Sequence, residues 1–206
     1  MRALLFVVLL TVAANCQAQP EVSYTIAACQ IGTSTKVTSM QVGQTFDLVL
    51  SVQDLRPSGT WTDSGGIVKP LVRGTFAAYC DVLYDKTLAK VTYYSGNGPG
   101  EFLGCFTFKN GYVNGPPQAY DAPDRINDVG AFTGAFGGNK LPVEVWRVRM
   151  TCKAAGPLVF RPDVSDVPSP KCITLVYGND AATPPEQSYV APADVVLIPC
   201  AVTVSN

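Results

Sequence analysis

The sequence predicts an all-β protein built as a two-sheet sandwich, and three observations carry that expectation. Apolar and polar side chains alternate through most of the chain, which is the period of a half-buried strand. Gly, Pro, Asn and Asp interrupt the alternation at short intervals, as turns between strands require. No stretch shows a sustained helical period.

The first segment stands apart from the fold. Arg2 precedes an apolar run over 4–12, and the small residues Ala13, Ala14 and Ala18 follow, which is the layout of a secretory leader. Residues 1–18 are therefore read as a signal peptide cut after Ala18, and residues 19–206 as a single domain. The leader's apolar run is too short to span a bilayer as a stable helix, and no later apolar stretch is long enough, so no membrane insertion is expected.

Strands are expected at 22–29, 45–54, 75–84, 89–94, 101–108, 143–153, 157–161, 173–177 and 195–204. In the third, Phe76, Ala78, Cys80, Val82 and Tyr84 share the drier face, opposite Ala77, Tyr79, Asp81 and Leu83. In the sixth, Trp146, Val148, Met150 and Cys152 oppose Arg147 and Arg149. In the last, Val196, Ile198, Cys200, Val202 and Val204 fall together. Two stretches, 56–74 and 110–123, are punctuated by Gly, Pro, Ser and Asn and read as long loops.

Composition removes several functions. Fifteen Lys and Arg against 16 Asp and Glu give a net charge of −1, so no basic field gathers nucleic acid. Beyond Cys16, the cysteines Cys29, Cys80, Cys105, Cys152, Cys172 and Cys200 form an even set in an exported chain, which reads as disulfides. Their wide spacing and the absence of histidine argue against a zinc site. Six cysteines allow fifteen pairings. Proximity favours Cys80–Cys105 and Cys152–Cys172, with Cys29–Cys200 joining the terminal strands, and a cross-core Cys80–Cys152 bridge is the rival.

Catalysis is not expected. The carboxylates Glu101, Asp121, Asp124, Asp128 and Glu144 show no pairing pattern of the kind that glycoside hydrolysis uses, and without histidine a hydroxyl or thiol nucleophile lacks its usual base. Exposed aromatic rings would serve binding instead, and Trp61 in the first long loop, with the adjacent pair Tyr93 and Tyr94, are the candidate contact residues. No cofactor is expected. A structural calcium on Asp54, Asp163, Asp166 or Asp180 stays open, with turn capping the equal alternative.

The order of five motifs resembles the cohesin-like modules of bacterial surface and secreted proteins. They are VGQTFDLVLSVQDL at 42–55, GTFAAYCDVLYDKTLAKV at 74–91, INDVGAFTG at 126–134, VWRVRMTCKAAGPLVF at 145–160 and CITLVYG at 172–178. The resemblance spans about residues 37–204. It implies a nine-stranded jelly-roll sandwich related to carbohydrate-binding modules, and a sheet face that holds another protein. The chain departs from the pattern in its cysteines and in the insertion around Trp61.

Together these readings predict a secreted, non-catalytic recognition module acting outside the cell or at its surface. Its expected partner is an extracellular protein, dockerin-bearing if the resemblance extends to function. The alternatives are a carbohydrate-binding module for a polysaccharide and a structural subunit of an extracellular coat.

Overall fold

The computed structural model describes residues 19–92, 106–114, 125–133, 140–165, 173–178 and 187–206. The described chain is all-β, apart from one 3₁₀ turn at Pro192–Asp194. Its strands are β1 Val22–Cys29, β2 Ser39–Gln41, β3 Thr45–Asp54, β4 Thr60–Thr62, β5 Val68–Pro70, β6 Thr75–Leu83, β7 Ala89–Val91, β8 Phe106–Phe108, β9 Tyr112–Asn114, β10 Arg125–Thr133, β11 Val143–Cys152, β12 Gly156–Val164, β13 Leu175–Tyr177, β14 Gln187–Tyr189, β15 Val195–Ile198 and β16 Cys200–Ser205.

They form two main sheets and a small hairpin. The first sheet runs β15-β1-β3-β11-β7, with β8 also on β11. The second runs β14-β13-β6-β12-β16-β2, with β10 on β6 and β9 beyond β10. Strands β12 and β13 share one edge of β6, the former along Cys80–Leu83 and the latter near Ala77, while β10 takes the other edge.

Alternation places the core between these sheets. Tyr24, Ile26, Phe46, Leu48, Leu50, Trp146, Val148 and Met150 point in from the first sheet. Ala78, Cys80, Val82, Leu158, Phe160, Val202 and Val204 meet them from the second. Phe46 and Phe160 touch edge to face across the layer at 5.8 Å, and Tyr84 lies 5.5 Å from Phe160. Buried Tyr24 also ties the sheets by polar bonds, sharing one with the Thr174 hydroxyl at 2.6 Å and accepting one from the Tyr79 N–H at 3.1 Å. Those bonds satisfy a hydroxyl that would otherwise be costly to bury.

The strand expectations hold for most long elements and fail in instructive places. The segments at 22–29 and 45–54 match β1 and β3 residue for residue. The last expected strand is two: Pro199 lets the chain leave β1's edge as β15 and enter the other sheet as β16. That crossing resets the side-chain alternation, so Val196 and Ile198 face solvent whereas Val202 and Val204 are buried. Phe76 also departs from its expected face, because a bulge beside Thr75 turns it outward to pack with Ala77 and Tyr79. The nine expected strands undercount the described ones, since short segments such as β2, β4, β5, β9 and β14 carry too few residues to show a period. Strand β10 was passed over for another reason, a bulge between Ile126 and Val129 that interrupts its alternation.

No disulfide joins the described cysteines to one another. Cys29, Cys80, Cys152 and Cys200 are all thiols in this structure. The rival cross-core pair is not formed: Cys80 is enclosed within the core, and the Cys152 Sγ contacts the Met40 Sδ at 3.9 Å. The pairs Cys80–Cys105 and Cys152–Cys172 each need a residue outside the described ones.

Because Phe160 fills the centre of the layer against both Phe46 and Tyr84, Phe160→Ala leaves a cavity that neither sheet can close. The expected loss is about 3–5 kcal/mol of unfolding free energy in urea titration.

Candidate functional site

The outward face of the second sheet carries an apolar row that crosses five strands. Register pairs Tyr189 of β14 with Leu175 of β13, Leu175 with Ala77 of β6, Ala77 with Phe132 of β10, and Phe132 with Val113 of β9. At about 4.8 Å per strand, the row is roughly 19 Å long. Tyr189, Phe132 and Val113 are 56%, 36% and 49% exposed, so much of this apolar surface is open. A contiguous apolar strip on a sheet face is unusual where alternation normally places polar groups.

Several contacts hold the row flat. Phe76 lies 6.2 Å from Phe132 and meets Tyr177 edge on at 5.8 Å. One register position along, the Tyr79 ring lies over Gly130, where a Cβ would sit 2.2 Å from the ring. Only glycine allows β10 to pass beneath that ring.

Beyond Tyr79 the same face becomes charged. Asp81, fully buried, accepts from the Asp128 N–H at 2.7 Å and from Arg125 at 3.0 Å, and Asp163 stands beside it in register on β12. Asp128 occupies the β10 bulge at φ 50° and accepts from Asn127 Nδ2 at 2.6 Å and from the Ser165 hydroxyl. These contacts commit Asp128 to holding the bulge. Glu144 is likewise committed, taking two bonds from Arg147 at 2.7 and 2.8 Å, so neither carboxylate resembles a poised catalyst. Glu101, Asp121 and Asp124 lie outside the described residues.

The insertion around Trp61 is a β-hairpin, not an unstructured loop. Strands β4 and β5 pair, with Trp61 opposite Lys69. The Lys69 ammonium sits 5.6 Å over the indole ring, and the indole N–H is enclosed without a hydrogen-bond partner. Buried Asp54 clamps the hairpin's base. Its carboxylate accepts the Arg56 guanidinium at 3.0 and 2.7 Å and the Gly74 N–H at 2.6 Å, while Arg56 reaches the Tyr177 carbonyl at 2.6 Å. The hairpin is thus rooted beside Tyr177 of β13 and Gly74 at the start of β6, the strands at the middle of the row.

Two other sequence candidates, Tyr93 and Tyr94, lie outside the described residues. Of the calcium candidates, Asp54 is taken by Arg56 and Gly74, and Asp166 and Asp180 lie outside the described residues. Among the described residues no group of three or more His, Cys, Asp or Glu is placed to hold a metal. None of their helices is long and apolar enough to cross a membrane. Phe132, Val113, Leu175 and Tyr189 were not picked out from sequence. Phe132 and Leu175 each have a signal, their places in the INDVGAFTG and CITLVYG motifs.

Comparison with known proteins gives a fold. No family model matches the chain, and no curated protein matches it either. A cohesin module from a family 33 glycoside hydrolase of Clostridium perfringens superposes with a TM-score of 0.53, at 13% identity, covering 91% of this chain and 98% of its own. This chain has a cohesin-like fold. A non-cellulosomal cohesin from the archaeon Archaeoglobus fulgidus also aligns, with a TM-score of 0.47 and 8% identity over 89% of this chain and 92% of its own. Within the cohesin-like fold the apolar row occupies an outward face, clear of the core.

Two outcomes test this geometry. Gly130→Ala forces the new methyl into the Tyr79 ring and the Ala78 carbonyl, and is expected to cost about 1–3 kcal/mol in urea unfolding. For pH, burial raises the Asp54 and Asp47 carboxyls, but bonds from Arg56 and Gly74 to the first, and from Arg149, Gly32 and Arg147 to the second, outweigh it and hold both below the usual range. Depressed acids contribute stability that is present above their unfolded pKa of about 3.9 and lost as pH falls toward the lower folded values. Thermal scans of Asp54→Asn are therefore expected to show a lower Tm at pH 7 and a shallower loss below pH 4 than the parent.

Proposed function

We propose that this chain is a recognition module, exported from the cell and without catalytic activity, that docks another protein through the outward face of its second sheet. The observation that carries the proposal is the apolar row from Tyr189 through Leu175, Ala77 and Phe132 to Val113. Burying such a row against a partner removes apolar area from water, the main favourable term in association. The charged end, where half-buried Arg125 and exposed Asp163 flank buried Asp81, supplies orientation, since polar contacts at an interface rim select register more than they add affinity.

The partner that fits is one presenting an apolar stripe of comparable length, such as one face of an amphipathic helix. Its resemblance to cohesins makes a dockerin module the first partner to try, and the expected leader agrees with that use. The hairpin bearing Trp61 is rooted beside β13 and β6 and flanks the docking face. With Lys69 over one side of its ring, Trp61 is a poorer sugar platform than a bare exposed indole.

Titration calorimetry against purified dockerin modules tests the reading, with Phe132→Asp as the variant. Phe132 is partly exposed, so the variant is expected to keep its β-type circular dichroism while losing at least tenfold in affinity. Retardation on polysaccharide gels with no dockerin binding would overturn the proposal in favour of a carbohydrate module.

A further inference from the structure

We propose that Cys29 and Cys200 are a redox pair that closes to a disulfide under oxidising conditions and staples the first strand to the last. The two cysteines lie at a seam of the sandwich, close enough for their charges to interact. Strand β15 pairs with β1 only from Val22 to Thr25, then turns away at Pro199, leaving the far end of β1 without that neighbour. Cys200 is the first residue after the turn. Its sulfur fills the gap by accepting the Ala28 N–H at 3.3 Å, one residue from Cys29. The close approach is fixed by backbone pairing on both sides: β1 by β3 up to Cys29–Asp47, and β16 by β12 from Phe160–Cys200.

The surroundings suit exchange chemistry. Cys29 lines an open cavity of about 580 Å³ with Val37, Met40 and Phe46, and Cys200 is half-buried, so a small disulfide can reach the seam. Burial raises both thiols, Cys29 against the opposing pull of Arg147 and Lys36 and Cys200 against that of the Ala28 N–H and Lys36, so alkaline pH favours the exchange. The other described cysteines are engaged elsewhere, Cys80 within the core and Cys152 against Met40.

The reaction needs a disulfide donor such as oxidised glutathione. The Cys200 thiolate attacks one sulfur of the donor, breaking its S–S bond and expelling one glutathione thiolate, and a mixed disulfide remains. The Cys29 thiolate then attacks the Cys200 sulfur, forming the internal bond and expelling the second glutathione. Two protons leave the protein thiols, and two electrons pass to the donor. The product ties positions near opposite ends of the chain, so it closes a very long loop in the unfolded state and raises thermal stability. Nothing in this depends on what the second sheet binds.

The mature chain, incubated with oxidised glutathione near pH 8 and digested without reduction, is expected to yield a peptide containing Cys29 linked to one containing Cys200. The oxidised protein is expected to melt roughly 5–15 °C above the reduced one. Cys29→Ser and Cys200→Ser are each expected to abolish that difference while keeping the reduced protein's β-type spectrum. Recovery of both residues as thiols or as stable glutathione adducts, or linkage of either to Cys105 or Cys172, overturns the proposal.

Discussion

Strand β6 is the constraint on which the rest depends. Seven of its nine residues are buried, and both faces are covered along most of its length. A strand buried on both sides cannot shift by one residue without burying Asp81 in the core and expelling Cys80 or Val82. Its register is therefore strongly specified, and three neighbours take their positions from it. Strands β12 and β13 lie end to end on one edge and β10 on the other, so a single strand aligns Leu175, Ala77 and Phe132. The apolar row follows from that alignment.

Charged groups, sparse in the composition, act as local fasteners. On the first sheet's outer side, Asp47 takes bonds from Arg147 at 3.0 Å, Arg149 at 2.5 Å and the Gly32 N–H at 2.8 Å, which pins the loop after β1 to the sheet. On the other side of the fold, Asp54 does the same for the Trp61 hairpin, and Asp81 for the β10 bulge. Each carboxylate accepts both a cation and a backbone N–H, which offsets the cost of burying it. Balanced charge in this chain thus organises loops, and a net field has no part in it.

Legibility in the sequence followed the length of the pattern. The strands β1, β3 and β11 run eight residues or more, and β11 alternates from Trp146 on, past a bulge at Glu144, so their inward faces could be read directly. The apolar row could not be read the same way. It is made of one residue from each of five strands, and three of those strands are three residues long. Such a row exists only once register is set, and register depends on tertiary pairing and on bulges such as those at Thr75 and Asp128. Single conspicuous aromatics drew attention to Trp61 instead. That residue is half covered by Lys69 on a hairpin, whereas the less conspicuous Phe132 and Val113 line the open face.

The composition of the row favours a protein over a sugar. Glycan platforms work by laying flat ring faces against pyranose faces, with polar groups close by to bond the hydroxyls. Here the two exposed aromatics on the row, Tyr189 and Phe132, are separated by Leu175 and Ala77, about 14 Å at the usual strand spacing. Between and beyond them stand aliphatic groups, Leu175 and Val113, which stack poorly on sugars but pack well against leucine or methionine side chains. Phe132 is further braced by Phe76 from below, so its exposed edge is presented in a fixed position. A rigid, mixed aliphatic and aromatic ridge of this length offers a partner's side chains a preorganised surface, lowering the entropy lost when they dock.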